Sequence, residues 1–372
     1  MCIIEDMRTK IYVMTHKKFD IPSDSMYLPM QVGRAAHPDP ELASYLGDDT
    51  GDSISEKNCY YSELTGLYWI WKNEKCADIV GCCHYRRYLL NHAGYMFRQD
   101  EIQTILKSYD IITTKRLDLN FSYYYGFGEN HKIYYLDETM KVLDDLYPDY
   151  ATTFRRLVQE KHTYFGNMMI CKKELYDAYM EFLFGTLFEL EKRITVEEED
   201  SYHRRIFGFI SEFLQYIWIV HRNLKVYECM VGMLGEKAET REVKQQLGRF
   251  FAKCDFEGAK NYFLECRQKR PDILMEASDV TGELHLCMQV IVTAGLEQRQ
   301  YGTNLLSHTN QFEELMQYMN HLNAYHAQLA KDHVEPELQD WIDEHEISDV
   351  AHRISEQVMQ ASIDGHINIS KI

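Results

Sequence analysis

A basic tetrad, His84-Tyr85-Arg86-Arg87, follows an apolar run with the composition of a buried strand. In open α/β sheets, ligands bind outside the carboxyl ends of the strands, so these side chains fall where a ligand is expected. Two adjacent arginines present forked donors that suit a diphosphate. The tetrad therefore predicts a nucleotide-diphosphate site, with His84 and Arg86 as catalytic candidates and Tyr85 and Arg87 as donor-binding candidates.

A second group of polar side chains follows the first predicted strand, Lys10 to Thr15. A short β-type run that ends in polar residues is typical of a strand leading into a ligand loop. We expect Thr15, His16 and Lys17 to contribute to binding of the same ligand. An ordinary surface position for His16 is the alternative.

Glu212 lies in the otherwise apolar helical run FGFISEFL. A carboxylate in apolar surroundings is costly unless it is paired or functional. Glu212 is therefore our candidate for a catalytic general base, the group that an inverting group transfer requires. A structural salt bridge to Arg204 or Arg205 is the alternative.

Further candidates lie on the predicted acceptor side of the site. Gly166-Asn167 interrupts a strand-like run, which indicates a close approach of the backbone to a ligand. His131 follows the Tyr- and Gly-rich segment FSYYYGFGENH, which we interpret as a flexible lid, although such loops also serve as plain connectors.

The acidic run GDDTGDSIS supplies possible metal ligands. Imidazole and carboxylate together suit a divalent cation, so His84 with Asp49 or Asp52 is one possible site. These aspartates are equally typical of turns and helix caps. The sequence therefore does not decide whether a divalent cation binds here. A separate alternative is that Arg86 and Arg87 form ordinary structural ion pairs.

Strand and helix patterns alternate through the first half of the chain, which predicts a mostly parallel α/β sheet. A long irregular segment is expected between Pro22 and Ile54, because prolines and turn residues are concentrated there. The expected strands are 10–15, 78–83, 110–114, 164–171 and 225–231, and the expected helices are 55–75, 100–108, 173–193 and 202–222.

Strand-like runs disappear after about Gly235, where short helices broken by turns are predicted. The turn at 254–259 resembles a tetratricopeptide-type hairpin, but a single copy lacks the repeated period of such arrays. From about Glu335 we expect a solvated helix and a loose tail.

Composition argues against several classes of protein, including nucleic-acid binders and membrane-spanning proteins. The formal net charge of −18 argues against a nucleic-acid binder. No apolar run reaches the length of about 18 residues that spans a bilayer. The ten cysteines show no metal-like spacing. A cytoplasmic protein with a small-molecule substrate is expected.

Several ordered motifs carry a family resemblance: a strand plus THK, then QVGRA, DDTGDSIS, ELTGLYWIWKN and DIVGCCHYRRYL. Over roughly residues 10–228 the chain resembles a domain-of-unknown-function family of capsular and exopolysaccharide glycosyltransferases. The resemblance implies a GT-A-like, Rossmann-type nucleotide-sugar-binding domain at 10–234. It leaves out the last third of the chain, where the helical pattern predicts an all-α domain at 235–372. It implies a nucleotide-sugar donor, with a UDP-hexose of the galactose type favoured. Its motifs place these further residues at the donor: Gln31, Val32, Gly33, Asp49, Asp52, Asn58 and Thr65.

The tetrad departs from the usual pattern, because such enzymes carry paired aspartates that hold a metal after this strand. An arginine pair can itself stabilise a leaving diphosphate, so departure without a metal is favoured. The implied acceptor is a saccharide or lipid-linked saccharide, which would bring the protein to the inner face of the membrane, and the C-terminal helices are available for a protein partner. The rival hypotheses are a non-catalytic helical-repeat interaction protein with a degenerate α/β domain, and a metal-dependent hydrolase.

Overall fold

The computed structural model describes residues 7–270 and 279–363. The chain forms two compact units that divide between Leu234 and Gly235. Each unit has a hydrophobic core of its own.

The strands of the first unit form one large mixed sheet and a small two-stranded ribbon. They are β1 (Thr9–Thr15), β2 (Tyr27–Gln31), β3 (Leu46–Gly47), β4 (Ile79–His84), β5 (Arg87–Leu90), β6 (Ile111–Thr114), β7 (Leu117–Asp118), β8 (His162–Thr163), β9 (Met169–Lys172) and β10 (Val226–Met233). Strands β3, β2, β1 and β4 are parallel neighbours. Strand β9 runs antiparallel between β4 and β6, and β6 is parallel to β10. The carboxyl ends of β1, β2, β4 and β6 therefore lie at one edge of the sheet, where β9 begins.

The helices of the first unit cover both faces of this sheet. They are α1 (Asn58–Tyr61), α2 (Leu64–Asn73), α3 (Gln99–Ile105), α4 (Tyr123–Asn130), α5 (Ile133–Leu146), α6 (Pro148–Leu157), α7 (Lys173–Glu191) and α8 (Ile206–His221). Alternate residues of β1 enter different cores: Tyr12 packs with the cluster that contains α2, α7 and α8, and Ile11 packs with the cluster that contains Ile102 of α3. The period of two along a strand explains this division.

Two expectations about the segment before β4 are wrong. The stretch from Pro22 to Ile54 is not uniformly irregular, because β2 and β3 form within it and extend the sheet. The helix expected over 55–75 is broken at Ser62, which has a φ of 50°. The helical spacing of apolar residues continues across Ser62, so the sequence pattern alone did not reveal the break.

Two further expectations change around the acceptor-side candidates. The Tyr- and Gly-rich segment forms helix α4 instead of a flexible loop, and Ser122 caps it by accepting from the backbone NH of Tyr125. The strand-like run at 164–171 is regular only from Met169 onward. The residues before it, Gly166 and Asn167, both have positive φ and form a turn at the sheet edge.

The described part of the second unit is helical: α9 (Ala238–Ala252), α10 (Phe256–Lys269), α11 (Glu283–Tyr301), α12 (Phe312–Leu329), α13 (Pro336–Glu344) and α14 (Asp349–Ile363). Asp255 caps α10 by accepting from Gly258, which gives a tight α9–α10 hairpin. Whether this hairpin is tetratricopeptide-like stays a prediction. Helix α14 is not simply solvated, because Val350, Ala351 and Ile354 are buried. The expected loose tail lies outside the described residues.

Among residues 7–270 and 279–363, no helix has both the length and the apolar character needed to cross a membrane.

Candidate functional site

The predicted donor residues meet at the edge where β1, β2 and β4 end. Thr15 is paired with Gln31 across β1 and β2, and Met14 with His84 across β1 and β4. The NH of Tyr85 donates to the carbonyl of Met14 at 3.0 Å. The tetrad therefore lies directly beside the residues that follow β1.

Arg86 and Arg87 occupy the turn and the start of β5, which folds back antiparallel so that His84 pairs with Arg87. Both side chains are half-buried, and neither forms an ion pair or side-chain hydrogen bond with a residue that the structure describes. The Nε of Arg86 is fully covered and has no hydrogen-bond partner among those residues. The chain has 58 acidic side chains against 40 Lys and Arg. Even so, neither guanidinium group forms an ion pair within the part of the chain that the structure describes, so the alternative of structural ion pairs is not observed there.

Tyr85 lies at the centre of an aromatic and cationic group. The His16 ring approaches it edge-on with centroids 5.5 Å apart, and Phe19 lies at 6.1 Å. Lys17 Nζ and the guanidinium carbon of Arg86 lie 5.6 and 5.5 Å from its centroid. The arrangement combines flat apolar surface with positive charge, as a nucleotide requires.

The Gly166 peptide lies between the tetrad and Glu212 of α8. Nε2 of His84 donates to the Gly166 carbonyl at 2.8 Å, and the Gly166 NH donates to Oε1 of Glu212 at 2.7 Å. Gly166 has a φ of 102°, and a Cβ built there would lie 3.9 Å from an Nη of Arg87. A glycine is suited to this position because side-chain-bearing residues rarely adopt that conformation. The alternative of a salt bridge from Glu212 to Arg204 or Arg205 is not observed.

Asn167 fixes this turn against two helices. Its amide donates to Glu63 at 2.8 Å and to the carbonyl of Gly208 at 3.1 Å, and it accepts from Ser211 at 2.9 Å. Only 2% of Asn167 is exposed, so its polar atoms are satisfied inside the protein. Its role in the structure is thus to hold the Gly166 peptide.

The environment shifts the pKa values of two of these groups in opposite directions. Burial, and then the negative charge of Glu63, raise the pKa of Glu212 to about 8. Burial, and then the positive charge of Arg87, lower the pKa of His84 to about 4. Sequence reasoning missed Glu63, because a glutamate before a helix has the ordinary signature of a helix N-terminus.

The QVG segment after β2 is held by Asp48, which is fully buried. Asp48 accepts from the NH of Gly33 at 2.8 Å and from the hydroxyl of Thr65 at 2.6 Å. The amide of Asn58 donates to Thr65 at 3.1 Å, and a Cβ on Gly33 would lie 2.6 Å from Asn58. These predicted donor residues therefore form one connected network, with Asp48 as its centre.

Two further residues that were predicted to bind the donor, Gln31 and Val32, lie near this network. The NH of Val32 donates to the carbonyl of Thr15 at 3.0 Å. Gln31 donates to the carbonyl of His37, and its Oε1 is buried without a partner among the described residues. An acceptor in that condition is free to receive a hydrogen bond from a ligand.

Asp49 and Asp52 have partners within the protein. Asp49 pairs with Arg34 at 2.6 Å, and the hydrogen bond from that guanidinium lowers the pKa of Asp49. Asp52 accepts from the hydroxyl of Tyr68 at 2.9 Å. In the described ranges, no group of three or more His, Cys, Asp or Glu side chains is arranged to hold a metal ion.

His131 lies beside α8 and not at the tetrad. Its ring stacks on Phe209 at 4.3 Å and on Tyr202 at 5.6 Å. His131 therefore packs near the N-terminus of α8, against a ring that lies three residues before Glu212.

The family described as Domain of unknown function (DUF4422) matches residues 10–223, which is more than half of the chain. The chain belongs to this family. The match covers the tetrad, the Gly166 turn, Glu212 and the strands of the sheet other than β10, with β1 included from its second residue.

The chain is also similar to the apo structure of WbbM, a bifunctional glycosyltransferase. The two are 28% identical with a TM-score of 0.57, over 62% of this chain and 46% of the WbbM chain. The chain thus corresponds to less than half the length of WbbM. No curated protein matches the chain. The family match and the similarity to WbbM together support a glycosyltransferase-like family.

Proposed function

We propose that this protein is a GT-A-like glycosyltransferase that moves a sugar from a nucleotide-diphosphate donor to a saccharide acceptor. The observation that carries the proposal is the pair of half-buried guanidinium groups of Arg86 and Arg87 at the carboxyl edge of the parallel strands, neither of which forms an ion pair with a described residue. Ligands of open α/β sheets bind at such an edge. The similarity to WbbM supports the reaction class.

The arginines supply charge to the leaving group. As the bond from the sugar C1 to the diphosphate oxygen breaks, negative charge develops on the diphosphate. Fixed guanidinium groups in a partly dry site stabilise that charge without rearranging. Arg86 and Arg87 therefore take the role that a divalent cation has in other transferases. Tyr85 and His16 are proposed to contact the nucleoside of the donor, and the proposed donor nucleotide is UDP.

Glu212 is the proposed general base. In an inverting displacement, the acceptor oxygen forms a bond to C1 while its proton passes to a carboxylate. With a pKa of about 8, a minor fraction of Glu212 is ionised at neutral pH and can accept the proton, and this fraction grows as the pH rises toward 8. The Gly166 NH fixes one oxygen of Glu212 and leaves the other for the acceptor hydroxyl.

For the acceptor we propose a growing surface polysaccharide, free or linked to a lipid. The family resemblance supports this class of acceptor. Helices α9 to α14 are proposed to bind a protein partner of that assembly.

Nucleotide binding tests the proposal. Calorimetry with UDP, GDP, CDP and their common sugars, with and without manganese, should show selective binding of UDP to the wild-type protein. Arg86→Ala should weaken this binding about tenfold or more, because it removes charge-assisted hydrogen bonds to phosphate. Equal affinity with and without manganese would support an arginine clamp.

Arg155→Ala is the matched control, because Arg155 is an exposed arginine of the same unit that pairs with Asp144. It should leave UDP binding unchanged. If the wild-type protein binds no nucleotide under either condition, the donor site is wrong and the interaction-protein hypothesis takes its place. If binding requires manganese, the arginine clamp is wrong.

A further inference from the structure

Helix α8 is open to solvent along one narrow stripe. Between Ile206 and Ile219 every residue is buried except Phe209 and Glu212, which are half-buried. Arg205, one position before the helix, is half-buried as well. Positions 205, 209 and 212 lie on one helix face because they are spaced by four and three residues. The stripe therefore runs from the proposed base to Arg205, about 10 Å along the helix axis.

The cation at the far end of the stripe has no anionic partner within residues 7–270 and 279–363. The Nε of Arg205 is covered and has no hydrogen-bond partner, and its side chain forms no ion pair with a described residue. Its neighbour Arg204 differs, because its guanidinium donates to the backbone carbonyl of Glu199. In a chain with a net charge of −18, an arginine left unpaired at the edge of a site is available to a ligand.

Aromatic rings surround this guanidinium. Its central carbon lies 5.3 Å from the Tyr202 centroid and 5.8 Å from that of Phe209. The ring of His131, which follows the last residue of α4, stacks on both of these rings. Aromatic faces hold a planar guanidinium in place while leaving its NH groups to bind an anion.

We propose that Arg205, Phe209 and His131 form a second subsite, which binds an anionic group carried by the acceptor. The proposal rests on the proposed function, since it places the reacting hydroxyl at Glu212 and the anion at the other end of the stripe. A phosphate of a lipid-linked saccharide and the carboxylate of an acidic sugar both have this chemistry. The aromatic rings contact the intervening sugar.

Inorganic pyrophosphate is a probe for both guanidinium sites, and calorimetry on the full chain should give two sites. Arg86→Ala should remove one and Arg205→Gln the other, each with a loss of about tenfold or more in affinity. Arg222→Gln is the control, because Arg222 also lies near an aromatic ring, 5.9 Å from Trp218, at the opposite end of α8. It should keep both sites.

A second measurement does not depend on how Arg205→Gln folds. In Arg86→Ala, pyrophosphate should shift the NMR signals of the His131 ring protons. Displacement of this pyrophosphate by glucuronate would indicate an acidic sugar, whereas its retention would indicate a phosphorylated carrier.

Two outcomes overturn the subsite: Arg205→Gln keeps both sites, or the His131 signals do not move. A lower melting temperature with both sites intact would assign Arg205 to packing alone. If Arg86→Ala keeps two sites while Arg205→Gln loses one, the donor proposal fails and the anion site stands.

Discussion

Glu212 accepts from the NH of Gly166 and His84 donates to its carbonyl, and the shifted pKa values of these two side chains make opposite contributions to the pH dependence of stability. Folded Glu212 keeps its proton up to about pH 8, whereas its ordinary pKa is 4.5, so its contribution falls as pH rises through that interval. Folded His84 stays neutral down to about pH 4, whereas its ordinary pKa is 6.5, so its contribution is lost as pH falls from 6.5 to 4. Between about pH 4.5 and 6.5 the contributions of the two groups to the free energy of unfolding therefore change in opposite directions. Above pH 6.5 only the contribution of Glu212 still changes.

We therefore expect the free energy of unfolding to fall between pH 6.5 and 8, by up to about 1.4 kcal/mol per pH unit from this group. Glu212→Gln should remove this contribution, because glutamine does not titrate. Urea unfolding at several pH values measures the slope. Glu181→Gln on the exposed face of α7 is the control and should keep it. Equal slopes in Glu212→Gln and the wild-type protein would contradict the assignment.

At the scale of elements, the turn before β9 sets the geometry of the site. Gly166 and Asn167 both have positive φ, and this conformation directs the Gly166 carbonyl to His84 and its NH to Glu212. A strand that continued straight through these positions would leave both groups without this contact. The turn thus connects His84 of the tetrad to the proposed base Glu212 through two hydrogen bonds.

Gly166→Ala should destabilise the protein by about 1–3 kcal/mol, because a residue with a Cβ is strained at this φ. Gly126→Ala is the matched control, since Gly126 lies inside α4 and a Cβ there meets no atom within 4 Å. It should be neutral or stabilising by up to about 1 kcal/mol. Thermal and urea unfolding measure both variants. Equal effects at the two glycines would show that the turn carries no special constraint.

At the scale of the whole molecule, two units with separate cores are expected to respond separately to core substitutions. Leu247 is fully buried in the core of the second unit, and Leu214 of α8 is fully buried in the first. Each Leu→Ala change should cost about 2–5 kcal/mol through lost contacts and a cavity.

Calorimetric unfolding should show two transitions, with Leu247→Ala lowering one and Leu214→Ala the other. Leu247→Ala should leave UDP affinity unchanged. A single transition that both substitutions lower equally would show that the two cores unfold as one.

The sequence by itself determined the alternation of strands and helices through the first unit, the change to helices after Gly235, and the position of the tetrad at a strand end. These features depend on local periodicity and on the apolar character of short segments, which can be seen in a single stretch of chain. The strands β2 and β3 were missed because prolines and turn residues in the same segment gave a stronger local signal.

Only the tertiary structure decided which charged groups have partners. Glu63, Asn167 and Glu212 are separated by long stretches of sequence, and sheet topology brings them to one turn. Arg86 and Arg205 form no ion pair with any residue of the described ranges, and this too depends on all the surrounding elements. A sequence with many carboxylates does not reveal which of them lie close to an arginine. Pairing and pKa depend on distances and burial that local sequence patterns do not contain.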